Sequence, residues 1–232
     1  MRGKMAILTA MPAIFVFFVF FAFTGGCTGN IGVPQTKKEL PPLKKTDFVN
    51  LQQYIPSLVV ELPYYTDQNF TGQKLYDSPV AYLRRGTADK LKKAAEEAAE
   101  KGYRLKIWDA YRPPEVQCKM WEILPDPNFV ANPYTGSAHS RGCAVDLTLA
   151  DPGGKELDMP SPFDEFSPRA DRDYRDVSPE KKNNSIFLEG IMTINGFVTN
   201  RKEWWHYTDS EKNEYDIAKK LVMPRTKSPG QT

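Results

Sequence analysis

The chain has 232 residues, 41% hydrophobic and 26% charged, ordinary values for a globular domain. That length suits one domain with a disposable N-terminus, and about 200 residues are enough to bury a sizeable core. The net charge of +2 resides in Arg2 and Lys4; without these two, the basic side chains balance the 29 acidic ones. No basic stripe for nucleic acid and no acidic arm is left.

Residues 1–26 read as an export signal. Arg2 and Lys4 precede an apolar run from Met5 to Phe23, and Thr24, Gly25 and Gly26 lead to Cys27. The small-small-Cys ending is similar to a bacterial lipoprotein signal, with a lipid on Cys27. Plain cleavage and a retained membrane anchor are the alternatives. All three place the protein outside the cytoplasm, in the periplasm or cell envelope, and two of them tether it to the membrane. Residues 27–47 read as a flexible tether, 48–224 as the catalytic domain and 225–232 as a disordered tail. Besides Cys27 there are Cys118 and Cys143, which read as two buried thiols acting as small hydrophobes; pairing in an oxidising compartment is the alternative.

Residues 57–61 predict a first strand, followed by an aromatic, turn-rich segment from Tyr64 to Pro79. A helix is expected over 87–101, burying Leu91, Ala94, Ala95 and Ala98 and stopped by Gly102. Residues 103–108 alternate as a half-buried strand, and Asp109–Pro113 form a turn. Pro113 and Pro114 open a helix to about Leu124. After a loop at 125–137, residues 143–149 predict a strand with Cys143, Val145, Leu147 and Leu149 on one face and Ala144, Asp146 and Thr148 on the other. The polar, proline-containing stretch 151–178 is long enough to suggest a functional loop. Ser178 caps a helix running to about Asn195 on Phe187, Ile191 and Ile194. Short strands at 197–199 and 204–207 form a hairpin, and 211–222 is expected to be a last helix.

The chain has two histidines, His139 and His206. His139 precedes Asp146 across a turn that Gly142 permits, and His206 follows Glu203 by three. Imidazole nitrogen and carboxylate oxygen suit Zn²⁺ at about 2.0–2.2 Å, and three protein ligands leave a fourth position open, as a catalytic zinc requires. Glu203 and His206 need not share a strand face, so one can ligate while the other approaches bound water. The plainer reading is two hydrogen-bonded histidines at a core edge.

Ser-x-His-Ser-Arg-Gly-x-x-x-Asp-Leu-Thr-Leu at 137–149 and Glu-Trp-Trp-His-Tyr at 203–207 resemble the D-alanyl-D-alanine dipeptidase family of zinc peptidases. Trp108–Pro113, Asn69–Gly72 and Pro162-Phe163-Asp164 agree with it, and the resemblance spans about residues 48–208. It implies that His139, Asp146 and His206 ligate one zinc ion, that Glu203 is the general base and that Arg112 stabilises the oxyanion. It further implies that Tyr64 and Asp164 face the substrate's ammonium and Ser137 its carboxylate. Ala138 departs from the second serine that family members often carry there. The expected substrate is D-alanyl-D-alanine or a related short D,D-dipeptide. A D,D-carboxypeptidase or endopeptidase acting on cell-wall peptides is the alternative, and a non-catalytic zinc-binding module the third reading. The expected fold is α+β: one domain with a central antiparallel sheet flanked by helices and the zinc site at the sheet edge.

Overall fold

The computed structural model describes residues 42–218. The expected export signal at 1–26, most of the expected tether and the expected tail at 225–232 lie outside the described residues, as does the end of the helix expected at 211–222. Up to residue 218 that segment contains a single 3₁₀ turn, Lys212–Glu214. Among the described residues no helix is long and apolar enough to cross a membrane.

In chain order the elements are β1 (Phe48–Asn50), α1 (Leu51–Tyr54), β2 (Val59–Val60), β3 (Tyr82–Arg84), α2 (Arg85–Glu100), β4 (Arg104–Asp109), α3 (Pro114–Ile123), α4 (Ala138–Arg141), β5 (Ala144–Ala150), α5 (Pro179–Ile194), β6 (Phe197–Asn200) and β7 (Glu203–Asp209). β1 and β3 form a two-stranded sheet, and five strands form the main sheet in the order β2-β4-β5-β7-β6. The α+β class is as expected, and β4–β5, β5–β7 and β6–β7 are antiparallel. The sheet is nevertheless mixed, because β2 runs parallel to β4. The connection between them includes α2, which returns the chain to the same end of the sheet.

Leu91, Ala94, Ala95 and Ala98 are all buried on α2, as their helical spacing requires, and Gly102 follows in the left-handed conformation at φ 79°. On α5 the Ser178 hydroxyl accepts from the Lys181 N–H. The buried face of that helix is Ser185, Leu188, Ile191 and Met192. Leu188 and Met192 centre the face, which turns Ile194 to solvent against expectation, at 77% exposure. The two strands missed in sequence are β1 and β3, three residues each; such lengths carry too little period to read.

All seven residues of β5 are buried, so both of its faces are covered rather than one. β4 likewise buries Lys106, whose ammonium lies 2.6 Å from Glu61 and 2.9 Å from Glu156. Cys143 is buried, but Cys118 is exposed on α3, and both are free thiols. The expectation of two buried thiols therefore holds for one of them; Cys118 lies between Val116 and Met120, which point inward while it points out. Trp204 and Trp205 pack in the core with Trp108 and Phe163, and the Trp204 indole N–H donates to Ser161 Oγ at 3.0 Å.

Candidate metal centre

His139 sits in α4, a single turn. Ser137 Oγ accepts from the His139 backbone N–H at 3.2 Å, and Gly142 ends the turn at φ 73°. A Cβ at Gly142 would meet the Phe48 ring at 2.3 Å, so both the backbone and the close approach of β1 require glycine there. The chain then enters β5, which carries Asp146. The β5–β7 register places His206 directly opposite Asp146. These are interior strands, the edges being β2 and β6, so the site lies at mid-sheet rather than at the sheet edge.

His206 Nδ1 is 2.9 Å from Asp146 Oδ1, His139 Nε2 is 3.4 Å from Asp146 Oδ2, and the two ring nitrogens are 3.2 Å apart. One ligand atom from each residue lies within 4.8 Å of the others. A tetrahedral ion with bonds of about 2.0–2.1 Å needs ligand atoms roughly 3.3 Å apart. The outer ring nitrogens are also engaged. His139 Nδ1 donates to the Ala110 carbonyl at 2.7 Å, which leaves the lone pair on Nε2. His206 Nε2 lies 3.0 Å from the Thr208 hydroxyl, which is able to accept a hydrogen bond from Nε2 and so free the lone pair on Nδ1 for a cation. Burial opposes ionisation of Asp146, but His139 and then His206, when a ring proton is turned toward it, outweigh burial and hold its carboxyl below the usual range. With both ring protons on the outer nitrogens the site presents its acceptors instead. Two lone pairs and a carboxylate facing one small space are the donor set a divalent cation needs.

These three residues line a cavity of 260 Å³ together with Tyr64, Arg112, Ser137, Asp164 and Glu203, so all eight residues singled out in the sequence meet there. Three residues apart on a regular strand, Glu203 and His206 would face opposite sides. A register shift lets both reach the cavity: Thr199 pairs with Tyr207, yet Asn200 pairs with Glu203. Glu203 is buried, and Oε2 accepts from Asn200 Nδ2 at 2.6 Å. Burial, then the charges of Asp146 and Asp164, push its carboxyl well up.

Arg112 is buried on the opposite wall. Nε and Nη2 donate to Asp109 Oδ2 at 2.9 and 2.6 Å, and Nη1 to Gln117 Oε1 at 3.0 Å. Asp109 Oδ1 accepts from the Ala110 N–H and the Tyr76 hydroxyl, so Asp109 caps its turn and also fixes the guanidinium. Burial disfavours the Arg112 charge, but the groups around it, Asp109 foremost, more than restore it. The Tyr64 hydroxyl donates to Asp164 Oδ2 at 2.8 Å. Asp164 holds φ 58°, a left-handed conformation unusual for a residue with a side chain. No motif marks the supporting positions of Gln117, Asn200 and Thr208 in the sequence; the close spacing of Asn200 to Glu203 and of Thr208 to His206 is a signal for two of them, and Gln117 carries none.

The profile of a family described as D-ala-D-ala dipeptidase matches residues 44–222. The chain is 38% identical over 172 residues to the D-alanyl-D-alanine dipeptidase of Escherichia coli (strain K12), covering 74% of this chain and 89% of that protein. It is 34% identical over 182 residues to the enzyme of that name from Enterococcus faecium, covering 69% and 90%. With the one from Streptomyces coelicolor it shares 33% identity over 192 residues, covering 73% and 95%.

Proposed function

Because the chain belongs to the D-ala-D-ala dipeptidase family, a family of metallopeptidases, we propose that it hydrolyses D-alanyl-D-alanine or a related short D,D-dipeptide with one zinc ion held by His139, Asp146 and His206. The observation that carries this is the trio of donor atoms within 4.8 Å, each imidazole turned inward by a partner on its outer nitrogen. When bound, the ion supplies positive charge that acidifies water and polarises a peptide carbonyl.

Glu203 takes the proton of the attacking water and returns it to the leaving amine. Asn200 holds its Oε2, and a buried carboxyl pushed upward in pKa suits a group that carries a proton between two steps. Arg112 supplies N–H donors to the oxyanion, kept charged and aimed by Asp109. Asp164, oriented by Tyr64, pairs with the substrate's ammonium, and Ser137 donates to its carboxylate. At 260 Å³ the cavity is smaller than the roughly 300–1,000 Å³ of pockets for drug-sized ligands. That supports a dipeptide over a cell-wall strand as substrate. Residues 1–27 alone support export and a membrane tether through Cys27 or an N-terminal anchor.

The test is zinc content and D-Ala-D-Ala hydrolysis in wild type and Glu203→Ala. The variant should keep its zinc and lose turnover by about 10²–10⁴. Loss of zinc would make Glu203 a ligand instead of the base. Cleavage of a muramyl pentapeptide but not of the dipeptide would rule out the dipeptidase reading.

A further inference from the structure

The register shift that brings Glu203 and His206 into one cavity leaves a gap in the sheet. β6 pairs with β7 up to Thr199↔Tyr207 and resumes at Asn200↔Glu203, so Trp204, Trp205 and His206 have no counterpart on β6. The carbonyls of Trp204 and His206 are two residues apart and point to the same edge of β7. Left unpaired beside a packed core, such groups are costly.

Arg172, from the long loop between β5 and α5, fills the gap. Its Nη2 donates to the Trp204 carbonyl at 2.8 Å and to the His206 carbonyl at 3.1 Å, and Nε donates to the Asn200 carbonyl at 2.8 Å. Nη1 donates to Glu189 Oε2 at 3.0 Å and to the Tyr207 hydroxyl at 3.2 Å. All five guanidinium N–H donors are thereby used. The guanidinium carbon also lies 4.6 Å from the centre of the Tyr207 ring.

We propose that Arg172 is a positioning residue that stands in for the absent β6 backbone and holds the shifted stretch of β7, so that Glu203 and His206 face the same cavity. It makes no hydrogen bond to either side chain; it acts through the carbonyls of Asn200, before Glu203, and of Trp204 and His206, after it. Lysine cannot replace it, because three donors on one nitrogen do not span three carbonyls. The kinetic part of this inference rests on the dipeptidase reading, whereas the metal-binding part does not.

The experiment compares wild type, Arg172→Lys and, as control on the same loop, Arg169→Lys, whose exposed side chain pairs with Glu165. Zinc affinity is measured by competition with a chelator, kcat and KM on D-Ala-D-Ala, and folding by cooperative urea unfolding. Arg172→Lys should unfold cooperatively, bind zinc 10–100-fold more weakly and lose a similar factor in kcat, the usual cost of losing a group that orients a ligand. The control should match wild type. An Arg172→Lys protein with wild-type zinc affinity and kcat overturns the proposal. So does one that no longer unfolds cooperatively, since Arg172 would then be scaffold. A wild type inactive on the dipeptide overturns the dipeptidase reading, while zinc affinity still decides the role of Arg172.

Discussion

His139 Nδ1 donates to the backbone carbonyl of Ala110 at 2.7 Å, and Ala110 adjoins Asp109, which anchors Arg112. One short turn thus orients a proposed metal ligand and the proposed oxyanion donor together. On the other ligand the corresponding partner is a side chain, Thr208, and can be removed. Thr208→Val preserves shape and deletes the acceptor, so zinc affinity in chelator competition should fall 10–100-fold. Unchanged affinity would show that the His206 tautomer is set elsewhere.

Arg112 makes its contacts with a planar fork that lysine lacks. Arg112→Lys should lower kcat about 10²–10³-fold with a much smaller change in KM, the pattern of an interaction made in the transition state. Asp109→Asn should reproduce part of the loss, because Asp109 accepts from Nε and Nη2 of Arg112. Steady-state kinetics on D-Ala-D-Ala settle both; a pure KM effect would reassign Arg112 to ground-state binding.

Burial pushes the Asp164 carboxyl up to about 7, with Asp146 adding to the shift and the Tyr64 hydrogen bond opposing it. An ammonium needs the ionised form, so kcat/KM should drop as pH falls through about 7. Stability runs the other way. An unfolded aspartate titrates near 4, so between about 4 and 7 the native state holds a proton that the unfolded state has released. The stabilisation is complete below about 4 and lost as pH rises through about 7. Asp164→Asn should flatten both profiles, bind substrate weakly throughout and exceed wild type in stability near pH 8. Urea unfolding of the metal-free protein and a pH–rate profile test the pair; a wild-type kcat/KM flat through neutrality contradicts it.

Burial pushes the Cys143 thiol up to about 12, and its Sγ lies 3.4 Å from the Ala138 carbonyl, whereas Cys118 is exposed. The thiolate is the reactive form. Iodoacetamide on the native protein near pH 8 should therefore label Cys118 and spare Cys143, as peptide mass mapping would show. Equal labelling would mean that α4 opens readily.

The cluster of His139, Asp146 and His206 was legible because two histidines in the whole chain leave few choices and each lies near a carboxylate. Helix α2 was legible from four apolar residues at one spacing, and β5 from its alternation. Other features depend on partners far away in sequence. Lys106 reads as a solvent-facing residue until Glu61 and Glu156 are seen to neutralise it. Arg172 sits among polar residues and prolines, where an arginine is ordinarily solvated; its burial follows from a register shift on a strand some thirty residues later. The parallel pairing of β2 follows from the path of the chain through α2, which a strand of two residues does not encode.

Phe48 belongs to a strand of only three residues, yet its ring covers Gly142, the pivot between His139 and Asp146. That contact sets a boundary for trimming the protein. Shortened forms beginning just ahead of Phe48 keep the ring over the pivot. Forms beginning past Asn50 strip it away and free the loop that joins two of the proposed metal ligands, though neither of those side chains is touched by the cut.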